Sequence, residues 1–92
     1  MNSITKIQNL INNCVDCAGI DPDTVMATLP KSGNGVDFYV DLSIENFGVE
    51  DLAYLVGFLA QSIGMKNVWL DTYPKSGRAH LELVFTQDFL AQ

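Results

Sequence analysis

Cys14-Val15-Asp16-Cys17 sets two thiols three residues apart. In a thioredoxin-like enzyme that spacing stands at a helix N-terminus after a strand, where the helix dipole lowers a thiol pKa. Here the pair falls near the C-terminal end of a helical pattern with no strand before it. The sequence therefore reads it as two buried thiols on a helix face. A zinc centre needs more ligands than this, and His80, the single histidine, cannot supply the rest. His80 also stands in no Ser-His-Asp pattern and beside no group that would make it a general base. Asp21 and Asp23 flank Pro22 in a turn, which favours capping over calcium, because neither a central glycine nor a closing glutamate follows. No catalytic, metal-ligating or cofactor-binding set emerges, and the expectation is a non-enzymatic protein without a cofactor.

One short motif occurs twice, as Pro30-Lys31-Ser32-Gly33 and Pro74-Lys75-Ser76-Gly77. Anion binding by a P-loop would need the glycine first, with the lysine running into a helix. In both copies the glycine comes last and leads into β-prone residues. Proline presets φ for a turn and glycine supplies the positive φ that closes a short hairpin loop. Both copies are read as the same hairpin joint.

The elements that flank these residues are well marked. Ser3 can cap a first helix whose face is Ile4, Ile7, Ile11, Cys14, Val15 and Ala18, widened by Leu10 and Cys17 and stopped by Gly19. Thr24 to Leu29 is short and β-prone. In "VDFYVDLSIE", Val36, Phe38, Val40, Leu42 and Ile44 alternate with Asp37, Tyr39, Asp41, Ser43 and Glu45, the period of a half-buried strand. A second helix is predicted over Val49 to Ile63, with Glu50 and Asp51 in its first turn and Gly64 ending it. Its apolar residues cover most of the circumference, so it wants more cover than one sheet provides. Lys66 to Tyr73 and Arg78 to Thr86 read as a second hairpin, and the last residues as one helical turn. The chain is thus an α+β domain, residues 1–92, in the order αββαββ. The architecture expected is two helices on one face of a four-stranded, mainly antiparallel sheet. With each helix closed by a glycine and each strand pair containing one PKSG, the order reads as a degenerate αββ duplication.

Composition narrows the function classes. The 92 residues are 48% hydrophobic and 17% charged, enough apolar content for a core and too little charge for disorder. Eleven Asp and Glu against five Lys and Arg give a net charge of −6. No basic cluster exists to neutralise phosphates or an anionic membrane surface, so neither nucleic acid nor membrane is an expected partner. The carboxylates stand singly, which argues against mimicry of DNA. No apolar leader is visible, and Val49 to Ile63 is too short to span a bilayer, so the expected location is cytoplasmic.

If one side of each strand packs under the helices, alternation fixes what the other side presents. Val36, Phe38, Val40, Leu42, Val68, Leu70, Leu81, Leu83 and Phe85 are the expected core. Asp37, Tyr39, Asp41, Trp69, Asp71, Tyr73, His80 and Glu82, with Val84, form the outer face. Aromatic side chains among scattered polar groups are the composition of interface centres. These residues are therefore the candidate partner-binding set, and the expected partners are an unidentified protein and a second copy of the chain. The leading expectation is a small acidic binding or inhibitory accessory protein of a bacterium, phage or mobile element. A small-molecule pocket between sheet and helices is the alternative. In charge and fold class the chain is also similar to the small acidic dimeric chaperones of secreted bacterial effectors, a likeness that implies a carrier of another protein.

Overall fold

The computed structural model describes residues 3–33, 35–73 and 75–92. Helix α1 (Ser3–Cys17) and helix α2 (Val49–Ile63) are each 15 residues long. Strands β1 (Val25–Ala27), β2 (Lys31–Ser32) and β3 (Phe38–Glu45) lie between them. Strands β4 (Val68–Tyr73) and β5 (Arg78–Phe85) follow α2, and the single turn α3 (Gln87–Leu90) comes last. The sheet has five strands and is antiparallel throughout, in the order β1-β3-β5-β4 with β2 also on β3.

Glycine ends both long helices. Gly19 takes φ 75°, letting the Ile20 N–H donate to Val15 O and its own N–H to Asp16 O, the paired bonds of a Schellman stop. Gly64 takes φ 93°, and beyond it the buried Asn67 donates its side-chain amide to Ile63 O at 2.7 Å. A 3-10 turn of three residues follows each helix, Pro22–Thr24 and Met65–Asn67. The first is capped as its sequence suggests, with Asp21 Oδ1 accepting from the Asp23 N–H. Helix, 3-10 turn, edge strand and eight-residue strand therefore occur in that order in each half. The two halves are not equivalent, because the short strand β2 stands between β1 and β3 and has no counterpart between β4 and β5.

Both long helices lie on one face of the sheet. Ile7, Ile11, Cys14 and Val15 of α1 and Leu52, Leu55, Leu59 and Ile63 of α2 form one core with Val40, Leu42, Ile44, Ala79, Leu81, Leu83 and Phe85. Phe89 of α3 closes one end, its ring edge-on to Phe85 at 5.4 Å. Lys6 of α1 ties that turn down, donating to Phe89 O at 2.8 Å and Gln92 O at 2.6 Å. Helix α2 is better covered than its composition suggests, because Val56 and Phe58 also pack against the core.

The structure corrects several expectations. The sheet has five strands because β2 is a strand of its own. Val36 is 47% exposed and not in the core, since β3 pairing begins only at Phe38. Leu70 points to the helix side but is 41% exposed, while its register partner Leu81 is fully buried. The inward residues of β3 and β5 are mostly buried, whereas on the edge strand β4 Val68 is half-buried and Leu70 and Thr72 are exposed.

The first PKSG is not a hairpin joint. Lys31 and Ser32 pair with Tyr39 and Phe38 as β2, and the reversal lies beyond them, where Gly35 takes φ 78°. In the second copy Lys75 to Gly77 do form the turn, with Gly77 at φ 66° and the Ser76 N–H donating to Tyr73 O. Asn34 and Pro74 lie outside the described residues.

The Leu70–Leu81 pair tests this packing directly. Leu81→Ala should cost about 2–5 kcal/mol, as for a fully buried leucine. Leu70→Ala should cost about 1 kcal/mol or less. Urea denaturation measures both, and equal costs would mean that β4 is as deeply covered as β5.

Candidate functional site on the outer sheet face

Strand pairing arranges the outward side chains in rows across the sheet. Lys31, Tyr39 and Val84 make one row, on β2, β3 and β5. Asp41, Glu82 and Trp69 make the next, on β3, β5 and β4. Met26, Ser43, His80 and Asp71 make the third, spanning β1 to β4. Glu45, Arg78 and Tyr73 make the last. Residues directly opposite on one face have Cβ atoms about 4.5–5.5 Å apart, so each row is a line of contacts.

These rows divide the candidate residues. Tyr39 and Trp69 flank a groove of about 360 Å³ whose floor is β5, and Asp41, Glu82 and Val84 complete its polar and apolar lining. Tyr39 is 42% and Trp69 51% exposed, so both rings present a face to water. Tyr73 is equally exposed but stands in the last row, opposite Arg78, away from the groove. Asp37 precedes β3 and lies off the paired ladder. Asp71 stands opposite His80.

The electrostatics of the face follow from the register. Asp41 and Glu82 are direct partners across β3 and β5, and opposed like charges are unfavourable there. His80 Nε2 lies 3.5 Å from Asp41 Oδ1. Arg78 is engaged elsewhere, its Nη2 2.7 Å from Glu45 Oε1. Lys31 faces Tyr39 in the adjoining row. The carboxylate pair thus has an imidazole beside it and no Lys or Arg in its own row.

Some residues of this face were not foreseen. Met26 and Lys31 belong to it only because β1 and β2 pair with β3 where they do. Arg78 is in phase with the outward residues of its strand, the signal that had already placed Glu45 on this side by alternation. Gly33 supports the face for a reason that has nothing to do with turn φ. A Cβ at Gly33 would lie 2.8 Å from Tyr39 Cε2, so the bare backbone is what lets the Tyr39 ring lie against β2.

The expectation of two buried thiols holds for Cys14 alone, because Cys17, the last residue of α1, faces solvent. Cys14 is buried and Cys17 exposed, both free. Burial pushes the Cys14 thiol above its ordinary pKa, only partly offset by a hydrogen bond with Ser62. An aryl disulfide reagent at pH 8 should therefore titrate one thiol per native chain rapidly, and the second only on unfolding. Replacement of Cys17 by Ser should abolish the fast phase, and two fast thiols would contradict the buried setting of Cys14.

Gly33 and Gly77 provide a second test. Gly77→Ala should cost about 1 kcal/mol through its positive φ. Gly33→Ala should leave thermal stability nearly unchanged while shifting the Tyr39 ring resonances. Equal losses of stability would show that the two glycines do the same job.

Among the described residues, no helix is long and apolar enough to cross a membrane. In comparisons with known proteins, no family model, curated protein or solved structure matches this chain.

Proposed function

We propose that this chain is a non-enzymatic protein-interaction domain, and that the groove between Tyr39 and Trp69 takes an extended basic segment of a partner protein. The observation that carries this reading is the half-exposed Trp69 indole beside the carboxylates of Asp41 and Glu82 in one groove. Apolar area left in water forfeits about 25 cal/mol per Å², which a partner would recover. A lysine or arginine over an indole gains about 0.5–1 kcal/mol when exposed and about 2 when desolvated. The net charge of −6 would speed encounter with basic partners. The hollow between α1 and the β1 edge, lined by Gln8, Asn9, Ile11, Asn12 and residues 27–29, is smaller, at about 250 Å³, and has no charged side chain, so the face is favoured over a small-molecule pocket between sheet and helices.

Self-association is the second reading, favoured by the same aromatic side chains and by exposed Val49 and Tyr54 on α2. Salt separates the two. Copies meeting through this acidic face repel one another, so their association strengthens as salt screens them. Binding of a basic segment weakens instead.

Selection of a random peptide library on the immobilised domain tests the proposal. Recovered peptides should be rich in Lys or Arg, and their binding should weaken with salt. The folded double variant Trp69→Ala/Tyr39→Ala should lose about 2 kcal/mol or more of binding. Acidic or charge-neutral peptides, or binding indifferent to the double substitution, would remove this reading. A dimer by light scattering that strengthens with salt would favour the second.

A further inference from the structure

We propose that Asp41, His80 and Glu82 form a binding site for a divalent transition-metal ion of the zinc class. The imidazole and one oxygen of each carboxylate are the ligands, and water completes the coordination. This inference goes beyond the interaction reading and stands without it. His80 and Glu82 occupy alternate positions of β5 on one face, and Asp41 lies directly across from Glu82 on β3. Each residue offers one ligand atom, and these atoms all lie within 4.8 Å of one another. Four-coordinate zinc with ligands at about 2.0–2.2 Å holds them about 3.4 Å apart. His80 Nε2 and Asp41 Oδ1 are already 3.5 Å apart. Asp41 and Glu82 are both exposed, so their carboxylates are free to turn toward a common ion.

Further observations point the same way. The two carboxylates are opposed across the ladder at an unfavourable spacing that a dication would turn into an attraction. Asp71 stands on the other side of His80 and adds to the negative potential there. Asp41 and Glu82 also line the groove, which leaves room for water in the open positions. The imidazole distinguishes the set from a simple acidic patch. One nitrogen with two oxygens suits zinc, nickel or copper over calcium or magnesium, which prefer oxygen alone. The ligands come from two central strands held in register on both sides, so the site is rigid where a loop site would not be. Loading would cancel the charge of Asp41 and Glu82, so metal and a basic segment compete for the same carboxylates.

The protein supplies its own probe, because its single tryptophan, Trp69, is the register partner of Glu82. The experiment uses tag-free, metal-stripped protein carrying Cys17→Ser, which removes the exposed thiol as a competing ligand. Zn²⁺ is added by calorimetry at pH 7.5, and Ni²⁺ is added while Trp69 fluorescence is followed. The expected result is one saturable site per chain, with Ni²⁺ quenching the fluorescence and Zn²⁺ reversing the quench. His80→Ala and Glu82→Gln should each weaken Zn²⁺ at least tenfold with unchanged circular dichroism. Asp88→Asn, remote on α3, should leave binding alone. No saturable binding, Mg²⁺ binding as tightly as Zn²⁺, or affinity indifferent to His80→Ala would each overturn the site.

Discussion

The pairing of β3 with β5 is the constraint on which the rest of the structure depends. Among the described residues these are the only two strands that join the first half of the chain to the second, and they are paired over eight residues each. On one side their register sets Val40, Leu42 and Ile44 against Leu83, Leu81 and Ala79, all buried beneath the helices. On the other it sets Asp41 against Glu82 and Ser43 against His80. Slipping by one residue would turn the core outward and the carboxylates inward. The burial of those apolar side chains therefore also dictates the chemistry of the exposed face. A carboxylate pair that would not form by its own energetics is held in place by leucines on the reverse side of the same strands.

Much of this was legible because local signals and packing agree. The span of α2 and the glycine stops at Gly19 and Gly64 follow from apolar spacing and backbone freedom, which are properties of short segments. Alternation likewise assigned Tyr39, Asp41, Trp69 and Glu82 to one face. Alternation does not say which strands are neighbours or in what register. The nearness of Asp41 and Glu82 to His80 was therefore invisible, although all three were already among the outward residues. Leu70 shows a related limit, since phase gives the side of a residue and not how far the helices reach above it. The repeated PKSG shows that identical residues do not fix a conformation. Gly77 supplies a left-handed φ in a turn, whereas Gly33 makes room for an aromatic ring.

The two edges of the sheet are treated differently. Strand β1 is three residues long and is followed within a few positions by Pro30, which has no N–H to offer a newcomer. Strand β4 runs unbroken for six residues, with Asp71 as its single charge. Natural sheets usually blunt such an edge with proline, bulges or charge. Here Trp69 and Leu70 are exposed on opposite faces of the same edge strand. The groove and the open backbone edge thus share one strand, and a segment lying along β4 would meet both.

The meeting of the two halves at the β3–β5 pair has a topological consequence. Both halves contribute to one shared core, and the covalent joint between them is the short segment Asn46-Phe47-Gly48, in which Asn46 holds φ 53°. Asparagine tolerates that left-handed conformation better than most residues, and the bend keeps each half folded back on its own partner. Every contact between the halves would be equally satisfied by the corresponding half of a second molecule. Whether this chain exists as a closed monomer or as a strand-exchanged pair is therefore decided by the stiffness and bend of that joint, and hardly at all by the interface it connects.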